Sequence, residues 1–199
     1  MKNNIYEISN LVLLVSEGNQ RAFTELFNLY YANLYRFVRY FLSETDAEDI
    51  VSEVFVSLWN NRKKLVLVNN FNSYIYAMAR NEAYAYLRLQ NKIQNVSLDD
   101  MPVSLSICEE SAEGRIIEKE MIEVYNKAVA QLPERCKLIF LMVREEKLKY
   151  KEIADVLQIT TGTVEQQMNQ AIKRISATIE QAYPDFVSKG EGRRRFLIV

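Results

Sequence analysis

Apolar residues recur at steps of three and four along most of this chain, and that period is the signature of helices with one buried face. The clearest case is Phe23, Leu26, Phe27, Tyr30, Leu34, Phe37, Val38 and Phe41, which predicts a long helix from about Gln20 to Leu42. A shorter helix, about Ile8 to Ser16, precedes it. Gly18 suits the left-handed position after that helix, and Asn19 can cap the next. The sequence Thr45-Asp-Ala-Glu48 is a capping box. It opens a helix that buries Ala47, Ile50, Val51, Val54, Phe55, Leu58 and Trp59. A fourth helix is expected from about Asn72 to Lys92.

The period then disappears. Residues 96–112, VSLDDMPVSLSICEESA, have Asp, Ser and Pro but no apolar stripe, as an inter-domain linker would. Helical pattern resumes at about Gly114–Gln131 and breaks at Leu132-Pro133. Pro133 fits a first helical position, opening Pro133–Arg144. Lys151–Leu157, a tight turn and Thr161–Tyr183 complete the pattern, and no internal repeat is present. The expected fold is all-α: two small helical domains over 1–95 and 114–183, a flexible linker over 96–113, and a disordered tail over 184–199.

Composition agrees with helices and narrows the chemistry. Among 199 residues there are only 5 Gly and 3 Pro, while 12 Tyr and 9 Phe supply large core side chains. With no His, the usual general base and every Ser-His or Cys-His pair are missing. Cys108 and Cys136 lie far apart, without metal-ligand spacing. No catalytic residue, metal or cofactor is expected. No apolar run reaches membrane-spanning length and no signal peptide is recognised, so a cytoplasmic protein is expected.

The net charge of −1 is unusual for a nucleic-acid binder, but its distribution matters more. Residues 96–120 carry 2 Lys/Arg against 7 Asp/Glu, whereas 1–95 carry 10 against 9 and 121–183 carry 9 against 8. The acidity is therefore concentrated in and beside the linker.

The stretch KEIADVLQITTGTVEQQMNQAIKRI carries the most specific pattern. Ile153, Ala154, Leu157, Ile159, Val164, Met168, Ala171 and Ile172 form the inner face of two helices meeting at an angle. Thr160 is placed to cap the second helix, with Thr163 in its first turn. This spacing points to a helix-turn-helix that reads DNA, although an ordinary helical hairpin would pack the same apolar set. Between Thr160 and Ile172 there is no Lys or Arg. Gln and Asn can still pair bidentately with adenine, and Thr offers a hydroxyl and a methyl. Thr161, Thr163, Gln166, Gln167 and Gln170 are the base-reading candidates. Lys147, Lys149, Lys151, Lys173 and Arg174 bracket them as phosphate contacts. With so few phosphates neutralised, binding by this unit alone would be weak.

Two blocks now show a resemblance. LPERCKLIFLMVREEKLKYKEIADVLQITTGTVEQQMNQAIKRI resembles region 4, the −35-binding domain, of extracytoplasmic-function sigma factors in the sigma-70 family. TDAEDIVSEVFVSLWNNRKKL and FNSYIYAMARNEAYAYLRLQNK resemble their region 2. Spacing and size look most like the iron-citrate-regulator type. The resemblance implies a sigma factor and not an enzyme. It would bind core RNA polymerase through the β′ clamp helices and β flap, and direct recognition and melting of promoter DNA. An anti-sigma partner, membrane-bound, would regulate it, and no small-molecule substrate is implied.

It further implies that Asp46, Asp49, Glu53 and Trp59 face the polymerase; without it, Asp46, Asp49 and Glu53 are simply a solvated acidic stripe. Asn72, Ser73, Tyr74, Arg80, Asn81, Tyr84 and Arg88 would melt and read the −10 element, with cations for phosphate and rings for base stacking. The tyrosines could equally be core, Tyr86 above all. The linker acids Asp99, Asp100, Glu109, Glu110 and Glu113 would thread toward the polymerase active site and RNA exit, or serve only as a soluble tether. Gln158 stands where relatives commonly have Gly, Gln170 where a basic residue is frequent, and Ser52 where Gln is. The tail, with Arg193–Arg195 before FLIV, has no counterpart in the family. The rival reading is a stand-alone helix-turn-helix regulator with a helical sensor domain, for which neither a heptad seam nor a ligand pocket is evident.

Overall fold

The computed structural model describes residues 3–90 and 116–184. Among them the chain forms eight α-helices and one 3-10 helix: α1 (Asn3–Ser16), α2 (Gln20–Arg39), α3 (Glu44–Asn60), the 3-10 helix (Arg62–Leu67), α4 (Phe71–Leu89), α5 (Ile116–Ala130), α6 (Glu134–Arg144), α7 (Tyr150–Leu157) and α8 (Thr161–Ala182). The linker acids, Cys108 and the tail from Asp185 lie outside the described residues.

The local signals explain most boundaries. Gly18 ends α1 with φ +90°, in the left-handed region that an L side chain avoids. Asn19 then caps α2, its side-chain oxygen accepting the Ala22 N–H at 3.1 Å. The start of α3 differs from the expected capping box. Ser43, not Thr45, is the cap: its backbone is extended and its Oγ accepts the Asp46 N–H. Ser43-x-x-Asp46 offers the same chemistry two residues earlier, and Ser43 Oγ–H donates to the Asp46 carboxylate at 2.6 Å. Thr45 is thereby already inside the first turn. Pro133 is likewise the residue before α6 rather than its first member. The 3-10 helix has no counterpart in the sequence pattern, because six residues are too few for a period to show. Its Leu65 is buried against the region where α1 packs.

Helices α1 to α4 pack as one group, with α2 meeting α1, α3 and α4. Leu26, Leu34, Phe37 and Val38 of α2 are fully buried, and each such side chain contributes about 1.5–3 kcal/mol of burial free energy. Phe23, Phe27, Phe55 and Trp59 form an aromatic layer between α2 and α3. Helices α5 to α8 pack around α8, which buries Val164, Met168, Ala171, Ile175 and Ile179. The two groups are also in contact: α7 lies against α4. Their buried apolar residues belong to one connected cluster.

Candidate nucleic-acid interface

The turn between α7 and α8 is built as a helix-turn-helix requires. Gln158 takes φ 57° and ψ 45°, and the N–H groups of both Gln158 and Ile159 donate to the Ala154 carbonyl. A glycine would adopt that conformation without strain. Thr160 caps α8, its Oγ1 accepting the Thr163 N–H at 3.1 Å; the two hydroxyls also bond at 2.9 Å. Thr163 is thus held by the cap rather than free to reach a base.

Along α8, Glu165, Gln166, Asn169, Gln170, Lys173 and Arg174 are exposed while Val164, Met168 and Ala171 are buried. Gln166, Asn169, Gln170 and Lys173 therefore form one outward stripe at helical spacing. Gln167 sits at the edge of it, half-buried, and its backbone carbonyl accepts the Cys136 thiol at 3.3 Å. Burial pushes the Cys136 thiol pKa up, which leaves this cysteine a packing residue. Thr161, Lys149 and Lys151 are exposed at the starts of α8 and α7.

The candidates on α4 fare differently. Asn81 and Arg88 are exposed, but Arg80, Ser73 and Tyr84 are buried. The Arg80 guanidinium donates Nη1–H to the Val156 carbonyl of α7, and Nε–H and Nη2–H to the Asn81 side chain at 3.2 and 2.7 Å. Burial pushes its pKa below the ordinary arginine value. Tyr84 packs edge-on to Phe41, with ring centroids 5.8 Å apart, and Arg80 lies 5.7 Å from its ring centre. Tyr74 is half-buried against the core. The open face of alternating cations and rings expected from spacing is therefore split, one edge wet and the other covered by α7.

Asn72 is also engaged. Its Oδ1 accepts the Tyr30 hydroxyl, and its Nδ2–H donates to Glu152 of α7 at 3.1 Å. Asn70 donates to the same Glu152 oxygen at 3.3 Å, and Ser73 Oγ–H to Asp155 at 3.4 Å. The other Glu152 oxygen accepts the Lys149 N–H at 2.8 Å, capping α7.

A second cluster, invisible in the sequence, lies beside this one. The Glu146 side chain is fully buried in the loop between α6 and α7. It accepts Arg36 Nε–H at 2.9 Å, the Tyr40 hydroxyl at 2.9 Å and the Tyr76 hydroxyl at 3.0 Å. Burial, with the Glu146 charge next in weight, pushes both phenol pKa values far above the ordinary tyrosine range. One partner sits 110 residues away in sequence, a separation at which no spacing rule signals a pair.

On α3, Glu48, Asp49, Ser52, Glu53 and Val56 are exposed. Asp46 is drawn inward, its carboxylate accepting the Tyr86 hydroxyl at 2.6 Å. Trp59 is a packing residue: Phe23 lies 4.9 Å from its ring and the Arg62 guanidinium 4.6 Å over it. Among the described residues there is no group of three His, Cys, Asp or Glu able to hold a metal, and no helix long and apolar enough to cross a membrane.

Comparison with known proteins places this arrangement. Residues 26–93 match the model of sigma-70 region 2, and residues 122–175 that of sigma-70 region 4. Over 177 residues the chain is 23% identical to the ECF RNA polymerase sigma-E factor of Haemophilus influenzae, covering 85% of this chain and 94% of that protein. The same identity and coverage of this chain hold for the Escherichia coli K12 sigma-E factor, of which 93% is covered. The chain belongs to the extracytoplasmic-function subfamily of sigma-70 factors.

A solved structure of CnrH in complex with the cytosolic domain of CnrY shares its fold, with a TM-score of 0.60 and 19% identity over 88% of this chain and 98% of that one. As a sigma factor the protein is a transcription initiation factor and not an enzyme, and its partners are core RNA polymerase and promoter DNA. The stand-alone regulator reading falls, because the N-terminal helices match region 2 and not a sensor domain.

Proposed function

We propose that this sigma factor docks on core polymerase through the exposed acids Asp49 and Glu53 of α3, reads the −35 element with α8, and melts the −10 element with α4. The observation that carries the reading is the outward stripe Gln166, Asn169, Gln170 and Lys173 on a helix whose opposite side is fully packed. That stripe offers amide groups matched to base edges and one cation for phosphate. Cations at Lys149, Lys151 and Arg174 surround it and are exposed. On α4, Asn81 and Arg88 are accessible, Asn72, Ser73 and Arg80 join the −10 set once α7 has moved away, and Tyr84 supplies a ring beside Arg80. Asp46 and Trp59 support the dock from within, one orienting α3 through Tyr86 and the other packing its end.

The β′ clamp helices and β flap are the polymerase surfaces proposed to receive regions 2 and 4, and the protein works in the cytoplasm. Regulation by an anti-sigma polypeptide belongs to this reading. Its support is the structural likeness to CnrH, whose partner contributes a cytosolic domain. In this reading the partner is membrane-bound.

The test is transcription by core polymerase plus this protein from a library of randomised promoters, with the selected sequences read out. Enrichment of paired −35 and −10 elements is expected. Failure of the protein to co-purify with core polymerase, or transcripts with no common upstream element, sinks the reading.

A further inference from the structure

Helices α2 and α3 share a row of rings that the packing only half covers. Trp59, Phe23, Phe55, Phe27, Tyr31 and Tyr35 follow one another with centroids 4.9, 6.2, 4.6, 5.0 and 6.3 Å apart. Phe55 is buried, but the other five keep part of their surface in solvent. Phe23, Phe27, Tyr31 and Tyr35 recur every four residues, so the row runs along α2 for about 18 Å. Core packing accounts for Phe23 and Phe27, which lie on Phe55 of α3. Tyr31 and Tyr35 instead stack along their own helix, with 7° between the ring planes and Phe27 next in the row.

The adjoining side of α3 completes a face. Around the circumference of that helix, Glu48 and Trp59 border α2, Ser52 and Val56 follow, and Asp49 and Glu53 come next. Asp46 closes the far edge, where it meets α4 through Tyr86. Val56, in the middle, is 53% exposed. The acids reach the rings: partial burial and then the Glu44 carboxylate push the Tyr35 phenol pKa up, Glu48 adding to this and Arg39 opposing it. Between Glu44 and Asn60 there is no Lys or Arg. The face thus has rings on one edge, an exposed aliphatic side chain at its centre and uncompensated carboxylates on the other edge.

That composition selects its occupant. A row of rings could stack bases, but a strand would bring its phosphates against Glu48, Asp49 and Glu53, where like charge opposes it. A polypeptide helix bearing arginine fits, because a guanidinium stacks on a tyrosine face and pairs with a carboxylate beside it. We propose that Tyr31 and Tyr35, with Val56, are the anchor by which an arginine-bearing helix of core polymerase is held in the groove between α2 and α3. Asp49 and Glu53 steer the encounter, while the two rings and Val56 set how long the complex lasts. The inference rests on α3 as the polymerase dock and adds which side chains carry the affinity there.

The experiment follows association and dissociation of the full chain with core RNA polymerase at two salt concentrations, with circular dichroism to check that the helices remain. Tyr31→Leu and Tyr35→Leu keep an apolar side chain while removing the ring face. Each is expected to speed dissociation about tenfold, equally at both salt concentrations, and to leave association within about twofold. Val56→Ala, at an exposed position, is expected to speed dissociation about threefold through lost apolar contact. Asp49→Lys with Glu53→Lys should slow association instead, by a factor that shrinks at the higher salt.

Wild-type dissociation rates in both tyrosine variants overturn the proposal, as does a loss that appears in association and fades with salt. If the tyrosine variants fail to fold, Val56→Ala decides alone, and an unchanged dissociation rate removes the anchor. Should only the acid variant lose binding, the dock on α3 stands and the rings are packing residues. Should the tyrosine, valine and acid variants all bind as the wild type does, α3 is not the dock, and that part of the proposed function falls together with the inference.

Discussion

Gln158→Gly isolates one cause in the turn that sets the angle between α7 and the reading helix. The wild-type residue sits at φ 57° and ψ 45°, which costs an L-residue about 1–2 kcal/mol relative to the right-handed region. Glycine removes that cost, but its freer unfolded chain returns about 0.4–1 kcal/mol. The Gln158 side chain is exposed, so little else is lost. The expected net is a stabilisation on the order of 0.5–1 kcal/mol, a rise in melting temperature of about 2–6 °C for a domain of this size. Gln158→Ala keeps a Cβ and should be nearly neutral, and Gln158→Val should lose about 1 kcal/mol or more because branching at Cβ worsens the left-handed clash. Urea unfolding followed by circular dichroism measures all three. A destabilised glycine variant, or alanine equal to glycine, would mean that strain at this backbone position is not what distinguishes the turn.

Other outcomes follow from the exposed faces. Asp49→Lys combined with Glu53→Lys should weaken retention on core polymerase at least tenfold by equilibrium binding while leaving the melting temperature within a degree or two, since both side chains are solvated; unchanged affinity would make the stripe an ordinary wet surface. Gln170→Ala should alter preference at one or two −35 positions by about 1–3 kcal/mol, whereas Lys173→Ala should weaken all promoters alike and lower the salt dependence. Transcription from randomised −35 elements at two salt concentrations separates them, and an even loss across promoters for Gln170→Ala would show that the amide positions the helix instead of reading bases.

Much of this was legible because helices write their packing into the sequence locally. The stripe from Phe23 to Phe41, the Gly18 turn and the Thr160 cap each involve residues within four positions of one another, and the structure keeps all three. The outward stripe of α8 was legible for the same reason: residues that alternate with Val164, Met168 and Ala171 must point outward. Gln167 shows the limit, since it falls near the stripe by spacing yet lies half-buried beside Cys136. The cap of α3 was misplaced because Ser43 and Thr45 both begin acceptable signatures, and only the extended backbone at Ser43 decides between them. What could not be read was the contact between the halves. Arg80 on a wet helix face and Arg80 under α7 have the same neighbours in sequence. Glu146 is one of two adjacent glutamates, and nothing local tells which of them is buried.

The proposed function also answers the difficulty posed by an α8 stripe so poor in cations. A helix whose stripe carries amides and one lysine gains little from counterion release, so its hold on a −35 duplex must be supplemented by a second site on the same DNA. Under the proposed function the linked second site is α4, and linkage would raise the effective concentration of one domain at its element once the other is engaged. A richer cationic helix would bind promoters without that second site, which gives a physical reason for amides at Gln166 and Gln170 where lysines would bind more tightly.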